Sequence, residues 1–302
     1  MWPSFGLLPS TRSFDEIDYG LALEHRVLAG DRVALHVVGD GEPLVLVHGL
    51  GSDMRVWQAN LSALAGRHRV VALDLPGFGR SAKPGRVHTI AHHVACVSEL
   101  IETLGGRAVV VGHSMGGQIA LRLAIDHPRQ IAALVLSAPA GLEAFTAREA
   151  AWIRGVVDDG YTLRATPFEI AIRHAQAFHR MPRAAWPMLR DRLAVARGPD
   201  IGAYARAVTQ CVRAMLDEPV LADLGRVAAP ALVTFGRYDG LIPNRLLHGC
   251  DIRTLAATAV AHMPEGELAI VDDAGHMPQL ERPDQWNALV LAFLSRSERS
   301  RK

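Results

Sequence analysis

Cysteine, aromatic residues and net charge are all scarce in this chain. Three cysteines occur in 302 residues, Cys96, Cys211 and Cys250, and they lie far apart. That spacing builds neither a disulfide framework nor a zinc site, and it suits a reducing, cytoplasmic compartment. The 32 Lys and Arg nearly cancel the 31 Asp and Glu, for a net charge of +1. No basic excess points to nucleic acid or to an anionic membrane surface. No apolar run approaches the ~18 residues of a membrane span. There is no internal repeat and no low-complexity segment. Residues 1–10 hold Trp2, Phe5, Leu7 and Leu8 but no basic n-region, and Pro3 interrupts them. They read as part of an N-terminal arm, residues 1–22, and not as a secretory signal.

What remains is ordinary globular material, 49% apolar and 21% charged. It suffices for one large core, or for a core with a smaller inserted domain. Residues 23–27 and 33–38 alternate apolar and polar around Ala29-Gly30-Asp31, which predicts an antiparallel hairpin at a sheet edge. The continuous apolar run at 44–47 reads as a strand buried on both faces, and the runs at 70–73, 108–112, 131–136, 231–235 and 268–271 read as further strands. Helical spacing fills the intervals 55–65, 89–104 and 115–125, and a last helix is predicted at 285–294. Residues 295–302 read as a charged, frayed tail.

The strand–helix rhythm stops near residue 141 and resumes near 228. Between them, residues 142–227 are nearly all helical pattern, rich in Ala and Arg. This predicts an α/β core, residues 23–141 and 228–302, with a helical cap inserted at 142–227. Aromatic and methionine residues scattered through the insertion are expected to form its own core and to wall a pocket.

Chemistry gathers at the strand ends. The run Val109-Val110-Val111 leads into Gly112-His113-Ser114-Met115-Gly116-Gly117 and then a helical pattern. A serine on such a strand–turn–helix apex is a candidate nucleophile. A hydroxyl needs an adjacent base, and the base needs an orienting carboxylate. Two later strands end in suitable loops, Gly236-Arg237-Tyr238-Asp239 and Gly275-His276-Met277-Pro278. The candidate triad is therefore Ser114, Asp239 and His276, with Glu143 as a rival acid. Asp272 and Asp273 lie too near His276 in sequence to face it and read as capping residues. His113 should point away from the serine, and His48 should brace its own loop. His88, His92 and His93 read as a solvated helix face and not as a metal site. The Gly-x-Gly of residues 77–79 lacks the following helix that phosphate binding requires.

Taken with His48-Gly49-Leu50-Gly51 and Asp74-Leu75-Pro76-Gly77-Phe78-Gly79-Arg80-Ser81, these pieces resemble the α/β-hydrolase superfamily, in that family's order. Within it the chain looks most like capped serine esterases and monoacylglycerol-lipase-like enzymes. The resemblance implies a mostly parallel eight-stranded sheet flanked by helices, with an inserted cap. It implies no cofactor and no metal, and a small-molecule ester substrate with an apolar acyl group. The backbone N–H groups of Leu50 and Met115 would form the oxyanion hole. Gly49 and Trp57 are candidate pocket residues, with plain core the alternative for Trp57. Carbon–carbon bond hydrolysis, acyl transfer or perhydrolysis would use the same triad. A non-catalytic binding protein on this fold would be expected to have lost one of its members.

Overall fold

The computed structural model describes residues 10–300. The arm residues Trp2, Phe5, Leu7 and Leu8 lie outside that range. Eight strands form one sheet: β1 (Glu24–Leu28), β2 (Asp31–Val38), β3 (Glu42–Val47), β4 (His68–Leu73), β5 (Ala108–His113), β6 (Ile131–Ser137), β7 (Ala231–Gly236) and β8 (Gly266–Val271). Their order is β1-β2-β4-β3-β5-β6-β7-β8. The first two pairings are antiparallel and the rest parallel. The β1–β2 turn places Ala29 (φ 48°) and Gly30 (φ 80°) in the left-handed region, the geometry of a tight hairpin. In β3 and β5 the apolar runs are buried on both faces, as continuous β-branched stretches require.

The helices of the core are α1 (Leu61–Ala65), α2 (Ile90–Thr103) and α3 (Met115–Asp126). An insertion between β6 and β7 supplies α4 (Ala147–Val156), α5 (Asp159–Leu163), α6 (Pro167–Gln176), α7 (Ala185–Val195) and α8 (Ile201–Asp217). After β7 come α9 (Ile252–Ala261), α10 (Pro278–Glu281) and α11 (Pro283–Ser300). Helix α1 packs with α11, and α2 with α3.

The chain steps from β3 to β4 on one side, then crosses back to β5 on the other. Loops leaving the carboxyl ends of β3 and β5 therefore diverge around a crevice, the place where open parallel sheets bind ligands. The inserted helices are not independent of the core. Tyr204, Ala207, Val208 and Cys211 of α8 belong to the main hydrophobic cluster. Ile170, Ala171 and Leu189 of α6 and α7 make a smaller cluster of their own. The described part of the N-terminal arm is strapped to the same insertion. Phe14 stacks on Tyr204 with ring centroids 5.0 Å apart, and the Arg12 N–H donates to the Ala194 carbonyl at 3.1 Å.

Two expectations need correction, and one helix was not predicted. Residues 55–65 are not one helix but a 3-10 turn, Met54–Trp57, followed by α1. Asp53 caps that turn, and buried Asn60 donates its amide to Gln279 O and Asn287 Oδ1 at 3.0 and 2.8 Å. The tail does not fray at 295, because α11 continues to Ser300 with Ser297 buried. Helix α9, capped by the Asp251 side chain, escaped the sequence reading because its alanine-rich pattern has little polar contrast.

The elbow after β5 depends on close backbone approach. A Cβ added at Gly116 would lie 2.4 Å from the Val47 carbonyl oxygen and 2.6 Å from that of His48. Both obstacles are main chain and cannot rotate away. Gly116→Ala is expected to lower the urea midpoint, with a loss of about 1–3 kcal/mol or more. Gly155 of α4 has nothing within 4 Å of the same position. Gly155→Ala should instead raise the midpoint by about 0.5–1 kcal/mol through helix propensity. Urea titration of the two variants separates crowding from propensity.

Candidate active site

Ser114 joins β5 to α3 with φ 53° and ψ −119°. A non-glycine residue there carries strain of about 1–3 kcal/mol, and its surroundings must hold it. Four backbone bonds do so. The Ser114 N–H donates to Ser137 O at 3.0 Å, and the Ser114 carbonyl accepts from Gly117, Gln118 and Ala140 at 2.8, 3.2 and 2.9 Å. The resulting turn sets Ser114 on the wall of a cavity of about 1160 Å³.

His276 lines the same cavity. Its Nδ1 donates to Asp239 Oδ2 at 2.9 Å, inside a buried pair. The other Asp239 oxygen accepts the N–H groups of Leu241 and Ile242 at 2.8 and 3.0 Å. Both carboxylate oxygens are thus oriented, and Nε2 is the His276 nitrogen that remains for a proton. No hydrogen bond joins Ser114 Oγ to His276 among the described residues; such contacts commonly tighten only with substrate bound.

His113 does not compete with this pair. Its Nε2 donates to the His276 carbonyl at 2.9 Å, holding the backbone of the loop. Burial pushes its pKa down to about 3, helped by the neighbouring His276, so it stays neutral. Glu143, the rival acid, lines another part of the cavity wall. It accepts from His248 Nδ1 at 2.6 Å and from the Asn244 N–H at 2.7 Å, and does not meet His276. Asp272 pairs with Arg237 at 2.6 Å and Asp273 with Arg282 at 3.2 Å.

Met115 is the first residue of α3, so its N–H has no acceptor within the helix and stands at the positive end of the helix dipole. Leu50 lines the cavity from the loop after β3. That loop is tied down by His48, whose Nδ1 donates to Gly49 O at 2.7 Å while Nε2 accepts the Leu75 N–H at 2.9 Å. Burial lowers the His48 pKa, which preserves this neutral tautomer. Tyr204 Oη donates to Gly51 O at 2.9 Å from the insertion.

The two candidate pocket residues are placed elsewhere. Gly49 sits against the elbow itself: a Cβ there would meet His113 Nδ1 at 2.8 Å and Ser114 Cβ at 2.9 Å. Trp57 is fully buried behind the site, packed on Trp286 and edge-on to His113. The wall comes instead from aliphatic and methionine side chains of the insertion, among them Ile170, Met188, Val208, Val212 and Met215. On α8 the spacing of Tyr204, Val208, Val212 and Met215 is the available sequence signal for that face. Trp152 and Phe168, candidates by type, are exposed.

A second layer of charge supports the loop after β3. Asp74 accepts from Tyr19 Oη, the Met54 N–H and the Arg80 N–H at 2.9, 2.7 and 2.7 Å. Burial, reinforced by the charge of Asp53, pushes its pKa up to about 7. Arg55 is buried too. It grips Asp53 through Nε and Nη2 at 2.9 and 2.8 Å and reaches Asp191 of α7 at 2.6 Å. Burial opposes its charge, but the Asp53 carboxylate outweighs that and keeps it protonated. Asp74 and Arg80 belong to a motif that the sequence displays, but Asp53, Arg55 and Asp191 carry no such signal, because Arg55 and Asp191 lie 136 positions apart.

The three histidines of α2 and its approach are not a solvated face. His88 and His93 are buried, with rings stacked 5.8 Å apart, and His92 Nε2 bonds Asp31 at 2.8 Å. Helix α2 packs against β1, α3 and α8, and its exposed face is carried by Ala91, Ala95, Glu99 and Glu102 instead of by the histidines. Among the described residues one group, Glu42, His68 and Glu298, has metal-ligand spacing. Glu42 and His68 open β3 and β4, so the group lies at the opposite end of the sheet from Ser114.

Residues 44–289 match the model of the alpha/beta hydrolase family. Over 258 residues the chain is 35% identical to a dihydrolipoyllysine-residue acetyltransferase component of an acetoin cleaving system from Pseudomonas putida. That match covers 84% of this chain and 64% of the relative, so the chain spans just under two thirds of its length. It is 30% identical over 270 residues to a pimeloyl-[acyl-carrier protein] methyl ester esterase from Aeromonas hydrophila, covering 87% and 99% of the two chains. A probable hydrolytic enzyme from Pseudomonas aeruginosa superposes with a TM-score of 0.80 at 24% identity, over 94% of this chain and 98% of the other, a likeness of fold.

Proposed function

The chain belongs to the alpha/beta hydrolase family, and we propose that it is a serine hydrolase cleaving a carboxylic ester with an apolar acyl group. One observation carries the reading: a strained serine and an oriented His–Asp pair open on the same largely apolar cavity. In this reading Ser114 Oγ attacks the ester carbonyl while His276 Nε2 takes its proton. Asp239 holds the imidazole in the required tautomer and stabilises the imidazolium. The oxyanion forms against the N–H groups of Met115 and Leu50. His276 then protonates the leaving alkoxide, and water, activated by the same imidazole, releases the acid. The insertion, residues 142–227, acts as a cap that walls the acyl group from solvent. The esterase name of the Aeromonas relative supports an ester substrate.

A panel of neutral p-nitrophenyl esters from acetate to dodecanoate tests this. Each added methylene should gain about 0.8 kcal/mol, or a factor of roughly 4 in kcat/KM, until the cavity is filled. A vinylogous diketone acid turned over faster than every ester would instead assign carbon–carbon bond hydrolysis. Transfer of the acyl group to an added alcohol in preference to water would assign acyl transfer.

A further inference from the structure

The wall that the insertion contributes is mostly carbon, yet two guanidinium groups stand in it, Arg173 of α6 and Arg192 of α7. Among the described residues neither makes an ion pair. Nearby Arg55 differs, since Asp53 and Asp191 take up its charge. Arg173 donates to the Tyr161 carbonyl at 2.6 Å and lies over the Tyr161 ring. Glu169, one turn away, accepts from Thr166 N–H and Oγ1 and also feels the charge of Arg173, so Arg192 is the less compensated of the two.

Arg192 is the more exacting case. Its guanidinium carbon sits 4.1 Å over the ring of Tyr204. Tyr204 is itself fixed, stacked on Phe14 and bonded through its hydroxyl to Gly51 O. A stacked guanidinium keeps its N–H fork in its own plane, available for a planar or tetrahedral oxyanion. Arg192 Nη1 is closed off from solvent and has no acceptor. Asp191, next in sequence, is held by Arg55 at 2.6 Å. His174, also on the wall, is held neutral by burial and donates Nε2 to Ala185 O at 3.2 Å. Arg192 lines the cavity and has no acceptor among the described residues, so the part of its guanidinium that faces the cavity is left for a ligand oxygen.

We propose that Arg192, assisted by Arg173, is a recognition subsite for an anionic oxygen group, so that the ester carries a carboxylate or phosphate on the part that reaches beneath α6 and α7. This rests on the hydrolase reading for its substrate, but the subsite can be tested without turnover.

Two matched pairs test it. Mono-p-nitrophenyl glutarate against p-nitrophenyl pentanoate places a carboxylate on the acyl side. A 1-acylglycerol 3-phosphate against the same 1-acylglycerol places a phosphate on the alcohol side. In at least one pair the anionic member should be preferred by about 10–100-fold in kcat/KM, the effect of a charge-assisted bond. Arg192→Gln should collapse that ratio toward one through KM, and Arg192→Lys should restore it only in part. No preference in either pair, or a loss shared equally by both members, overturns the subsite. Calorimetry on Ser114→Ala with glutarate and with glycerol 3-phosphate reads binding alone. Binding of at least one anion, lost on adding Arg192→Gln, supports the subsite. Failure of both anions to bind overturns it even where neutral esters are hydrolysed. Binding without any ester turnover overturns the hydrolase reading and leaves the subsite standing.

Discussion

Ser114→Ala should reduce kcat/KM for p-nitrophenyl esters by about 10⁴–10⁶-fold, as removal of a triad nucleophile does. The effect belongs to chemistry and not to folding. Alanine keeps the Cβ that serine already places at φ 53°, and the four bonds that hold the elbow use backbone atoms. The variant should therefore melt with the wild type. The residual rate would come from N–H donors and from the apolar cavity, neither of which the substitution touches. Steady-state kinetics and a circular-dichroism melt on one preparation check both halves. Undiminished ester turnover in a folded Ser114→Ala protein would remove Ser114 from the mechanism.

Asp239→Asn should cost about 10⁴-fold, the effect expected when the imidazole is held in the wrong tautomer. In the wild type, Oδ1 is occupied by the N–H groups of Leu241 and Ile242, so Oδ2 is the atom that faces His276 Nδ1. An asparagine that keeps its oxygen on those two N–H groups turns its amide toward His276. The ring must then accept at Nδ1 and carry its proton on Nε2, where it cannot receive one from serine. Glu143→Gln is the matched control. Gln Oε1 can still accept from His248 and Asn244, and no contact with His276 is lost. Activity should fall sharply in the first variant and stay near wild type in the second. The reverse pattern would make Glu143 the orienting acid.

Much of this site was legible in the sequence because its parts are local. A β-branched run, a glycine-flanked serine and a helical pattern are neighbours in the chain, and each loop that carries Asp239 or His276 follows an apolar strand directly. Features assembled from distant segments were not legible. The burial of His88 and His93 depends on α2 packing beneath α8, which no local pattern records. Trp57 could be assigned equally to core or pocket until Trp286 was placed against it. The cap's apolar wall is mostly aliphatic, whereas residue type drew attention to aromatics such as Trp152 and Phe168, which turn outward. No local pattern ties the N-terminal arm to the rest of the chain, yet its Phe14, Ile17 and Tyr19 are buried against the core and insertion. Arg55 joins the loop after β3 to α7 across most of the fold, and an isolated arginine in a helical stretch gives no hint of that.

The central claim is that Ser114 is the activated nucleophile of this cavity. Peptide mapping by mass spectrometry after brief treatment with a fluorophosphonate tests it most directly. A single adduct on Ser114 is expected, slowed strongly by His276→Ala and absent from Ser114→Ala. An adduct on another serine, or labelling of Ser114 that is indifferent to His276, would contradict the claim.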